Sequence, residues 1–394
     1  MDNRNYNYIE AVGPTSSSAG SLYIAQLVVS GTEGDRYLVI GTVAAGTQAD
    51  GAEPAGPFSI VCIDEFLPAT GIQHDHYPDG AGTDMSSFPS IFWATMDSTA
   101  ELNLALAFIL PSGSGIITYR EAGLHAFKLG VRDIAGDDFT NSTAGTGSYE
   151  TMGSVTFDVP YAGDYLIMAG ASVGKSVTTS NFNVRINVDG TTYCDAAMQV
   201  ISASYKLPYA AMRKVTLTPG SKTISLEMQS NTAGVADCAC TGIIALRVDD
   251  WPQVHTHHAT GSYSTTTVAA WEDVPTGTLN QTYRLAAKES LILSYGIFRQ
   301  PQAQDSGIRT QHGSGPTTAQ ENRNHSTAGE RYIHFAAARI LPSAGDYPIK
   351  QGIYDYASLV RPVIVDDSDV TVLQFTDDLS VEIRGGDILG GDIQ

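Results

Sequence analysis

The feature that most constrains the fold is a β-rich pattern that the chain of 394 residues repeats three times. The run Tyr209-Ala210-Ala211-Met212-Arg213 returns as Phe335-Ala336-Ala337-Ala338-Arg339. Hydrophobic triplets spaced by 128 and 125 residues begin at three leucines, Leu38, Leu166 and Leu291. Each copy closes on a strand-like phrase with a leucine, Leu129, Leu246 and Leu373. Solenoid repeats are only ~20–50 residues long, so this period indicates three tandem copies of one whole domain.

Apolar and polar residues alternate over short runs within each copy. Phe182, Val184, Ile186 and Val188 alternate with polar neighbours, and Asp189-Gly190 follows them. Asp-Gly tolerates the positive φ of a two-residue hairpin turn. Alternation of this kind, broken by Gly, Pro, Ser and Thr, predicts antiparallel strands with one buried face. We predict an all-β protein of three tandem antiparallel β-sandwich or jelly-roll domains, with about eight strands each.

The boundaries are placed where the alternation lapses. We predict an N-terminal arm at 1–20, domains at 21–135, 136–254 and 255–380, and a C-terminal arm at 381–394. One segment, 317–324, is predicted to form a helical turn or two. The C-terminal arm holds a near-duplication of Gly-Gly-Asp-Ile with apolar residues at Ile388, Leu389 and Ile393. These residues are predicted to dock on another subunit or a particle surface, with a frayed, solvated tail as the equal alternative.

The composition excludes several classes of function. The formal net charge of −20 repels phosphate backbones, so no nucleic-acid partner is expected. Charged residues make up 16% of the chain, which leaves enough apolar side chains for packed cores. The first residues are polar and no apolar run approaches the ~20 residues of a membrane span. The sequence predicts a protein that stays in the cytoplasm unless it leaves within a particle.

Two histidine clusters have spacings that suit a metal. His74 and His76, with Asp79, lie in one polar stretch, and His255 and His257 lie in another. Histidines two apart share one side of an extended strand, and imidazole with carboxylate suits a transition metal. Exposed polar loops are the simpler interpretation of both clusters. If a metal binds, we expect structural Zn²⁺ or Ca²⁺ at a subunit seam.

The ends of the copies are acidic, at Asp133 and at Asp249-Asp250. Such residues bind calcium or cap a turn, and their recurrence favours a structural role at domain junctions. The four cysteines are too few for a disulfide scaffold and are predicted to be small core thiols.

No catalytic constellation is evident in the sequence. Residues 169–176 fit a loose phosphate-loop pattern, but no helix is expected to follow them, and such a loop needs one. A nucleophile elbow is missing, and no catalytic residues or cofactor are assigned. Paired carboxylates can hydrolyse glycosides, but the sequence gives no pair separation.

Several phrases resemble the jelly-roll, tumour-necrosis-factor-like domains of tailed-bacteriophage virion proteins. They are strands ending in Val-Pro, a Gly-Asp-Tyr-Leu strand, a Thr-Pro-Gly turn and a closing strand, at Phe157 to Pro160, Trp271 to Pro275, Gly163 to Gly170, Thr218 to Gly220 and Ile244 to Val248. The resemblance covers the second copy well, the third moderately and the first weakly. It implies trimer-prone sandwiches that serve as decoration, fibre or tail parts, and it transfers no catalytic residue.

The predicted function is that of a non-enzymatic bacteriophage virion structural protein, most simply capsid decoration or cement. It would be synthesised in the host cytoplasm and lie on the outer surface of the virion. The predicted partners are the major capsid protein or other virion proteins, and a homotrimer. The alternatives are a tail- or fibre-associated adhesin for a glycan or host surface, and a polysaccharide-degrading spike enzyme.

Overall fold

A computed structural model describes most of the chain. The described residues are 6–12, 20–47, 58–64, 67–76, 86–96, 101–110, 117–145, 147–176, 181–199, 206–231, 234–251, 253–264, 270–274, 280–299, 304–313, 319–326, 331–355 and 362–375. Within these ranges the regular structure is β-strand, apart from a single 3₁₀ turn at Val248–Asp250. No helix in the described part of the chain is long and apolar enough to cross a membrane.

The strands fall into three successive units of the same design. Unit 1 contains β1 (Tyr6–Val12), β2 (Gly20–Ser30), β3 (Arg36–Thr47), β4 (Phe58–Asp64), β5 (Leu67–His76), β6 (Ser86–Ser87), β7 (Ser90–Thr95), β8 (Glu101–Leu110) and β9 (Ile117–Lys128). Unit 2 contains β10 (Ile134–Ala144), β11 (Glu150–Val159), β12 (Gly163–Lys175), β13 (Asn181–Val188), β14 (Thr191–Gln199), β15 (Lys206–Leu217), β16 (Gly220–Ser230) and β17 (Ala236–Arg247). Unit 3 contains β18 (Gln253–Ser264), β19 (Ala270–Asp273), β20 (Asn280–Leu285), β21 (Ser290–Arg299), β22 (Gln304–His312), β23 (Ala319–Ser326), β24 (Arg331–Ile340), β25 (Gly345–Asp355) and β26 (Pro362–Gln374).

Each unit is a jelly roll of two antiparallel sheets. In unit 2 the sheet orders are β10-β17-β12-β15 and β11-β16-β13-β14. The first sheet therefore contains the first, eighth, third and sixth strands of the unit, and the second sheet contains the second, seventh, fourth and fifth strands. Unit 1 repeats this order with a sixth strand interrupted into β6 and β7, and unit 3 repeats it with a second strand interrupted into β19 and β20. This is the double-sheet arrangement of a jelly roll, and the predicted fold class is confirmed. The sheet with the first strand is called the inner sheet, and the other the outer sheet.

The predicted hairpin of unit 2 forms as the alternation indicates. Along β13 the residues alternate between buried and less buried, from exposed Asn181 to buried Val188. Asp189 and Gly190 adopt positive φ values of 49° and 85° in the two-residue turn to β14. The two strands pair from Val188↔Thr191 outwards. The period-two pattern and the turn chemistry therefore agree with the observed structure.

Two local predictions are wrong. Residues 319–324 of the segment predicted as a helical turn lie in β23, which pairs with β22 from Gln311↔Ala319 to Gln304↔Ser326. The backbone N–H and C=O groups of these residues form hydrogen bonds with β22 instead of within a helix. The predicted capping residue therefore does not lead to a helix. The predicted N-terminal arm contains β1, which pairs along β9 from Tyr6↔Phe127. The predicted domain boundaries fall just inside β10 and β18, and the division of the chain at those points remains a proposal.

Strand register corrects the alignment of the repeats. Leu38, Leu166 and Leu291 are equivalent, because each pairs with the eighth strand of its unit, at Phe127, Leu246 and Leu373. The equivalent of Leu246 in unit 1 is therefore Phe127, two residues before Leu129. In the sixth strands Met212 pairs with Met168 and Ala337 pairs with Leu293, so Arg213 is equivalent to Ala338 and not to Arg339. The predicted equivalences are therefore wrong by two residues at Leu129 and by one residue at Arg339.

The corrected register brings out an equivalent ion pair. Lys214 in β15 pairs with Asp164 at 3.2 Å, and Arg339 in β24 pairs with Glu289 at 2.6 Å. Both acids stand two residues before the equivalent leucines of the third strands, Leu166 and Leu291. The same contact, between the sixth strand and the residues where the third strand begins, therefore recurs in units 2 and 3.

The three units pack on one another in a cyclic order. The fifth and sixth strands of unit 1 lie against the inner sheet of unit 2, those of unit 2 against unit 3, and those of unit 3 against unit 1. One hydrophobic cluster accordingly joins inner-sheet residues of all three units, among them Leu38, Leu166 and Leu291. Head-to-tail contacts that close after three steps have the geometry of a threefold axis. One chain therefore builds the ring that a homotrimer of single units would build.

Candidate functional site

The contacts between units, here called seams, are the candidate functional site. In each seam the sixth strand of one unit lies against the inner sheet of the next. Four residues before the equivalent positions Phe127, Leu246 and Leu373, the eighth strands carry Gly123, Gly242 and Asp369. Two seams thus have glycine at a position where the third has a carboxylate.

The seam between units 1 and 2 brings two backbones together. A Cβ at Gly242 in β17 would stand 3.1 Å from Phe92 Cα and 3.4 Å from the Ile91 carbonyl oxygen, both in β7. Both of these neighbours are backbone atoms, which cannot rotate away. Glycine therefore lets the strands approach more closely than any side chain would allow.

The seam between units 3 and 1 brings β9 and β24 into ordinary contact. A Cβ at Gly123 in β9 would stand 3.5 Å, a normal van der Waals distance, from the Ala337 carbonyl oxygen of β24, and its nearest neighbour would be His125 Nε2 of the same strand, at 2.6 Å. Ser87 Oγ donates a hydrogen bond of 2.8 Å to the Phe335 carbonyl oxygen, which is also in β24. The Arg339 guanidinium lies 4.5 Å from the centre of the Tyr8 ring, within cation–π range.

Charged side chains fill the seam between units 2 and 3. Arg213 of β15 forms ion pairs with Asp367 and Asp369 of β26, with 2.9 Å between Arg213 Nε and Asp369 Oδ2. His258 of β18 places Nδ1 3.4 Å from Asp367 and 3.6 Å from Asp369. The two carboxylates are nearly buried, whereas 42% of the His258 side chain is exposed. These four residues are called the seam cluster.

Burial and charge act in opposite directions on the groups of the seam cluster. The neighbouring Asp369 carboxylate raises the pKa of His258, against the effect of partial burial. Burial raises the pKa of Asp367, and Arg213 opposes that change. Burial also raises the pKa values of the nearby Cys194 and Tyr295 well above their ordinary values, so both stay neutral near pH 7.

The histidines proposed as metal ligands lie elsewhere. His255 and His257 share one side of β18, as predicted, and His255 lies 5.6 Å from the Tyr283 ring of β20 in the outer sheet of the same unit. They therefore face the interior of unit 3, and His258 faces the seam. Among the described residues, the donors that cluster closely enough for a metal are His258, Asp367 and Asp369, within 4.8 Å of one another. Arg213 already pairs with both carboxylates and offsets one of their two negative charges, so a guanidinium stands where a cation would bind.

The other predicted sites are only partly within the described chain. His74 and His76 lie in β5 and pair with Ile60 and Phe58. Asp79, and the predicted docking residues Ile388, Leu389 and Ile393, lie outside the described residues. Metal binding at the first histidine cluster and docking by the tail remain predictions. Cys194 and Cys238 are buried free thiols, in agreement with a core role.

The predicted junction role of the acids is confirmed at Asp133. Its carboxylate accepts hydrogen bonds from Gly130 N at 2.7 Å and from Arg247 N at 2.9 Å. It therefore caps the turn that leaves unit 1 and ties this turn to the end of β17. Arg132, in the same turn, pairs with Asp250 at 3.1 Å.

A cluster of aromatic rings closes the axis at one end. Phe127, Trp251 and Phe375, one at the end of each unit, have ring centroids 5.5, 5.2 and 5.9 Å apart. Tyr6, near the start of the chain, stacks on Phe375 at 4.3 Å. The first and last described strands therefore meet the axis at the same end.

This end of the molecule is called the base. In unit 2 the register places the connections β11–β12, β13–β14 and β15–β16 at the end where β17 finishes. The three most exposed large apolar side chains of the described residues lie in base connections: Val131 at 87%, Tyr161 at 74% and Leu341 at 65%. They follow β9, β11 and β24, so the base presents apolar groups from the unit 1–2 junction, unit 2 and unit 3.

Unit 3 also has a buried polar layer. Thr310 Oγ1 bonds to Ser294 Oγ at 2.7 Å and to His334 Nε2 at 2.8 Å. Gln351 joins Ser294 to Ser368, at 2.7 Å on each side. Burial lowers the pKa of His334 to about 3, so this imidazole is neutral. The layer lies between two apolar clusters of the sandwich and fixes the sheets by hydrogen bonds.

Comparisons with known proteins add little beyond the fold. No protein-family model matches the chain, and no curated protein matches it. Among solved structures it is similar to an archaeal virus protein described with a triple jelly-roll fold and turret assembly, with 12% identity, a TM-score of 0.22, and 95% and 92% of the two chains covered. It is also similar to a protein of T=1 particles derived from infectious bursal virus, with 9% identity, a TM-score of 0.24, and 95% and 80% covered. A Paenibacillus xanthan lyase has 11% identity, a TM-score of 0.20, and 92% and 36% covered.

Proposed function

We propose that the chain is a non-enzymatic structural protein of a bacteriophage virion, and that it decorates or cements the capsid. The observation that carries this proposal is the closed ring of three jelly rolls. The inner sheets and the seam cluster hold the units together. A protein whose internal contacts make it rigid is suited to reinforcing an assembly.

The base is the surface through which we propose that the chain meets the particle. Its three large apolar side chains are exposed within the described chain, and apolar surface rimmed by polar residues is where protein contacts form. The last described residue, Phe375, lies at the base, so the C-terminal segment with Ile388, Leu389 and Ile393 starts there. The tail and the base would act together on one partner, the major capsid protein or another virion protein. The opposite end and the outer sheets would then face outward with the acidic surface.

Add-back of purified protein to particles that lack it tests this proposal. We expect the combined variant Val131→Ser, Tyr161→Ser and Leu341→Ser to fold normally and to lose co-sedimentation with particles. Val235→Ser is the matched control, since this exposed apolar residue lies in the β16–β17 connection, at the end opposite the base. Normal binding by the base variant, or cryo-electron microscopy that places the protein away from the capsid, would refute the proposal.

An adhesin is the second candidate, and one observation favours it. Strands β3 and β5 of unit 1 finish at the end opposite the base, and long segments, 48–57 and 77–85, follow them in the sequence. Binding residues of β-sandwiches lie disproportionately on the segments between strands. Saturable binding of the isolated protein to a glycan array, abolished by substitutions in these two segments, would support the adhesin. A catalytic turnover abolished by a point substitution would instead support the spike enzyme.

The predicted homotrimer needs a surface other than the inner sheets. Those sheets are already covered by the neighbouring unit of the same chain. Trimerisation of the whole chain therefore stays a proposal, and analytical ultracentrifugation of the full-length protein tests it.

A further inference from the structure

The seam cluster differs from the other seams in its charge. Arg213 contributes one positive charge, and Asp367 and Asp369 contribute two negative charges. With His258 neutral, one negative charge is left uncompensated at a nearly buried position. An unpaired buried charge costs stability, so the seam is weaker in this state.

Protonation of His258 balances the cluster. Its imidazolium would stand 3.4 Å from Asp367 and 3.6 Å from Asp369, which is close enough for ion pairs with both carboxylates. The ring is already held in place, since Nδ1 lies 3.0 Å from the Ser368 carbonyl oxygen. With 42% of its side chain exposed, His258 exchanges protons with solvent without any opening of the seam.

The groups that face the cluster from the other strands do not provide this response. Tyr193 of β14 lies below the guanidinium, with its ring centre 5.8 Å from Arg213. Cys194 of β14 and Tyr295 of β21 stay neutral, because burial raises the pKa of each. At the position of Asp369 the other two seams have Gly123 and Gly242, which do not titrate.

We propose that His258, Asp367 and Asp369 form a proton-binding site that locks unit 3 onto Arg213 of unit 2. Proton uptake at this site closes the seam, and proton loss loosens it while the other two seams stay closed. The ring of three units thus contains one seam whose strength depends on pH. This inference concerns the protein itself and stands whether or not the chain belongs to a virion.

The direction of the pH dependence follows from linkage. The pKa of His258 is raised in the folded protein, so its contribution is complete below the ordinary value of 6.5 and is lost as the pH rises through the folded value. The pKa of Asp367 is also raised, from an ordinary 3.8, so this group too binds its proton more tightly in the closed seam. Both groups therefore favour the closed seam at lower pH.

Hydrogen–deuterium exchange of the full-length protein tests the proposal. Peptides from β15, β18 and β26 are followed between about pH 6 and 8, the range in which histidine titrates. Rates are corrected with an unfolded reference at each pH. We expect the opening ratio of the wild-type seam to rise with pH, by up to about tenfold for each unit of pKa elevation. Peptides from β7 and β17, in the seam between units 1 and 2, should show no such rise.

Two variants in β18 distinguish the effect of the seam cluster from the general effect of replacing a histidine. His258→Gln is expected to lose the pH response, whereas His255→Gln, which faces the interior of unit 3, is expected to keep it. Burial lowers the pKa values of His125, His312 and His334 to about 4, 4 and 3, so these groups do not titrate in this range. A wild-type response in His258→Gln, or a flat wild-type profile, would overturn the proposal.

A second measurement keeps the proposal testable if the variant fails to fold. The His258 ring is titrated by NMR in the wild type with labelled histidine, and again in Asp369→Asn. We expect a wild-type pKa above 6.5 that falls when the Asp369 charge is removed. A value at or below 6.5 in the wild type would rule out the proton-binding site.

Discussion

Gly242→Ala gives the sharpest test of the ring, because the same substitution has opposite effects in an isolated unit and in a closed ring. In a free strand, alanine restricts the unfolded chain more than glycine does and stabilises by about 0.4–1 kcal/mol. In the closed ring, the new Cβ would stand 3.1 Å from Phe92 Cα and 3.4 Å from Ile91 O across the seam. The backbone of β7 would have to move by a few tenths of an ångström.

The magnitude follows from this crowding. Overpacking of a close-packed interior costs about 1–3 kcal/mol, which exceeds the gain in the unfolded state. We therefore expect Gly242→Ala to lose roughly 0.5–2 kcal/mol of unfolding free energy once that gain is offset. Urea unfolding of the full-length protein, followed by far-ultraviolet circular dichroism, measures the change.

The matched control is Gly145→Ala. This glycine lies in the β10–β11 connection, and its added Cβ would meet only Glu150 Oε1, at 3.5 Å. We expect it to be neutral or slightly stabilising. If Gly242→Ala were as stable as the control, β7 and β17 would not be packed together, and the three units would be independent domains.

Two further predictions concern the aromatic cluster and the hairpin. Phe375→Ala should lose about 3–5 kcal/mol in urea unfolding, because it removes the ring that Tyr6, Phe127 and Trp251 contact. A loss no larger than that of an exposed residue would contradict the closed axis. Asp189→Ala should be less stable than Asp189→Asn by about 1–2 kcal/mol, since alanine tolerates the positive φ of 49° poorly. The hydrogen bond from Thr223 N lowers the pKa of Asp189, so its contribution is present above pH 3.8 and is lost as the pH falls through the folded value; equal unfolding midpoints for the two variants would refute this account.

The sequence was sufficient for the parts of the fold that depend on local pattern. The period of two in β13, the Asp189-Gly190 turn and the spacing of Leu38, Leu166 and Leu291 each predicted what the structure has. These signals depend on neighbouring residues or on a strong periodicity, so one sequence contains them in full.

The seam cluster could not be predicted in the same way. Arg213 and Asp367 are 154 residues apart and belong to different units, so nothing in the chain pairs them. The repeated Ala-Ala run suggested that Arg213 is equivalent to Arg339, whereas the strand register makes Arg213 equivalent to Ala338. The histidine spacing directed attention to His255 and His257, whereas their neighbour His258 lies on the seam side of β18. The only available signal was the alternation of side chains between the two faces of a strand. Its use requires knowing which face of β18 lies towards the seam.

The covalent linkage of the three units frees their contacts from strict symmetry. In a trimer of identical subunits, every substitution appears at three places at once, so an ionisable cluster would appear in all three subunit contacts together. Here Gly123, Gly242 and Asp369 occupy one equivalent position and can differ, because each is encoded separately. Gene triplication thus permits specialisation of a single contact within a ring, which no homo-oligomer can reach by point mutation.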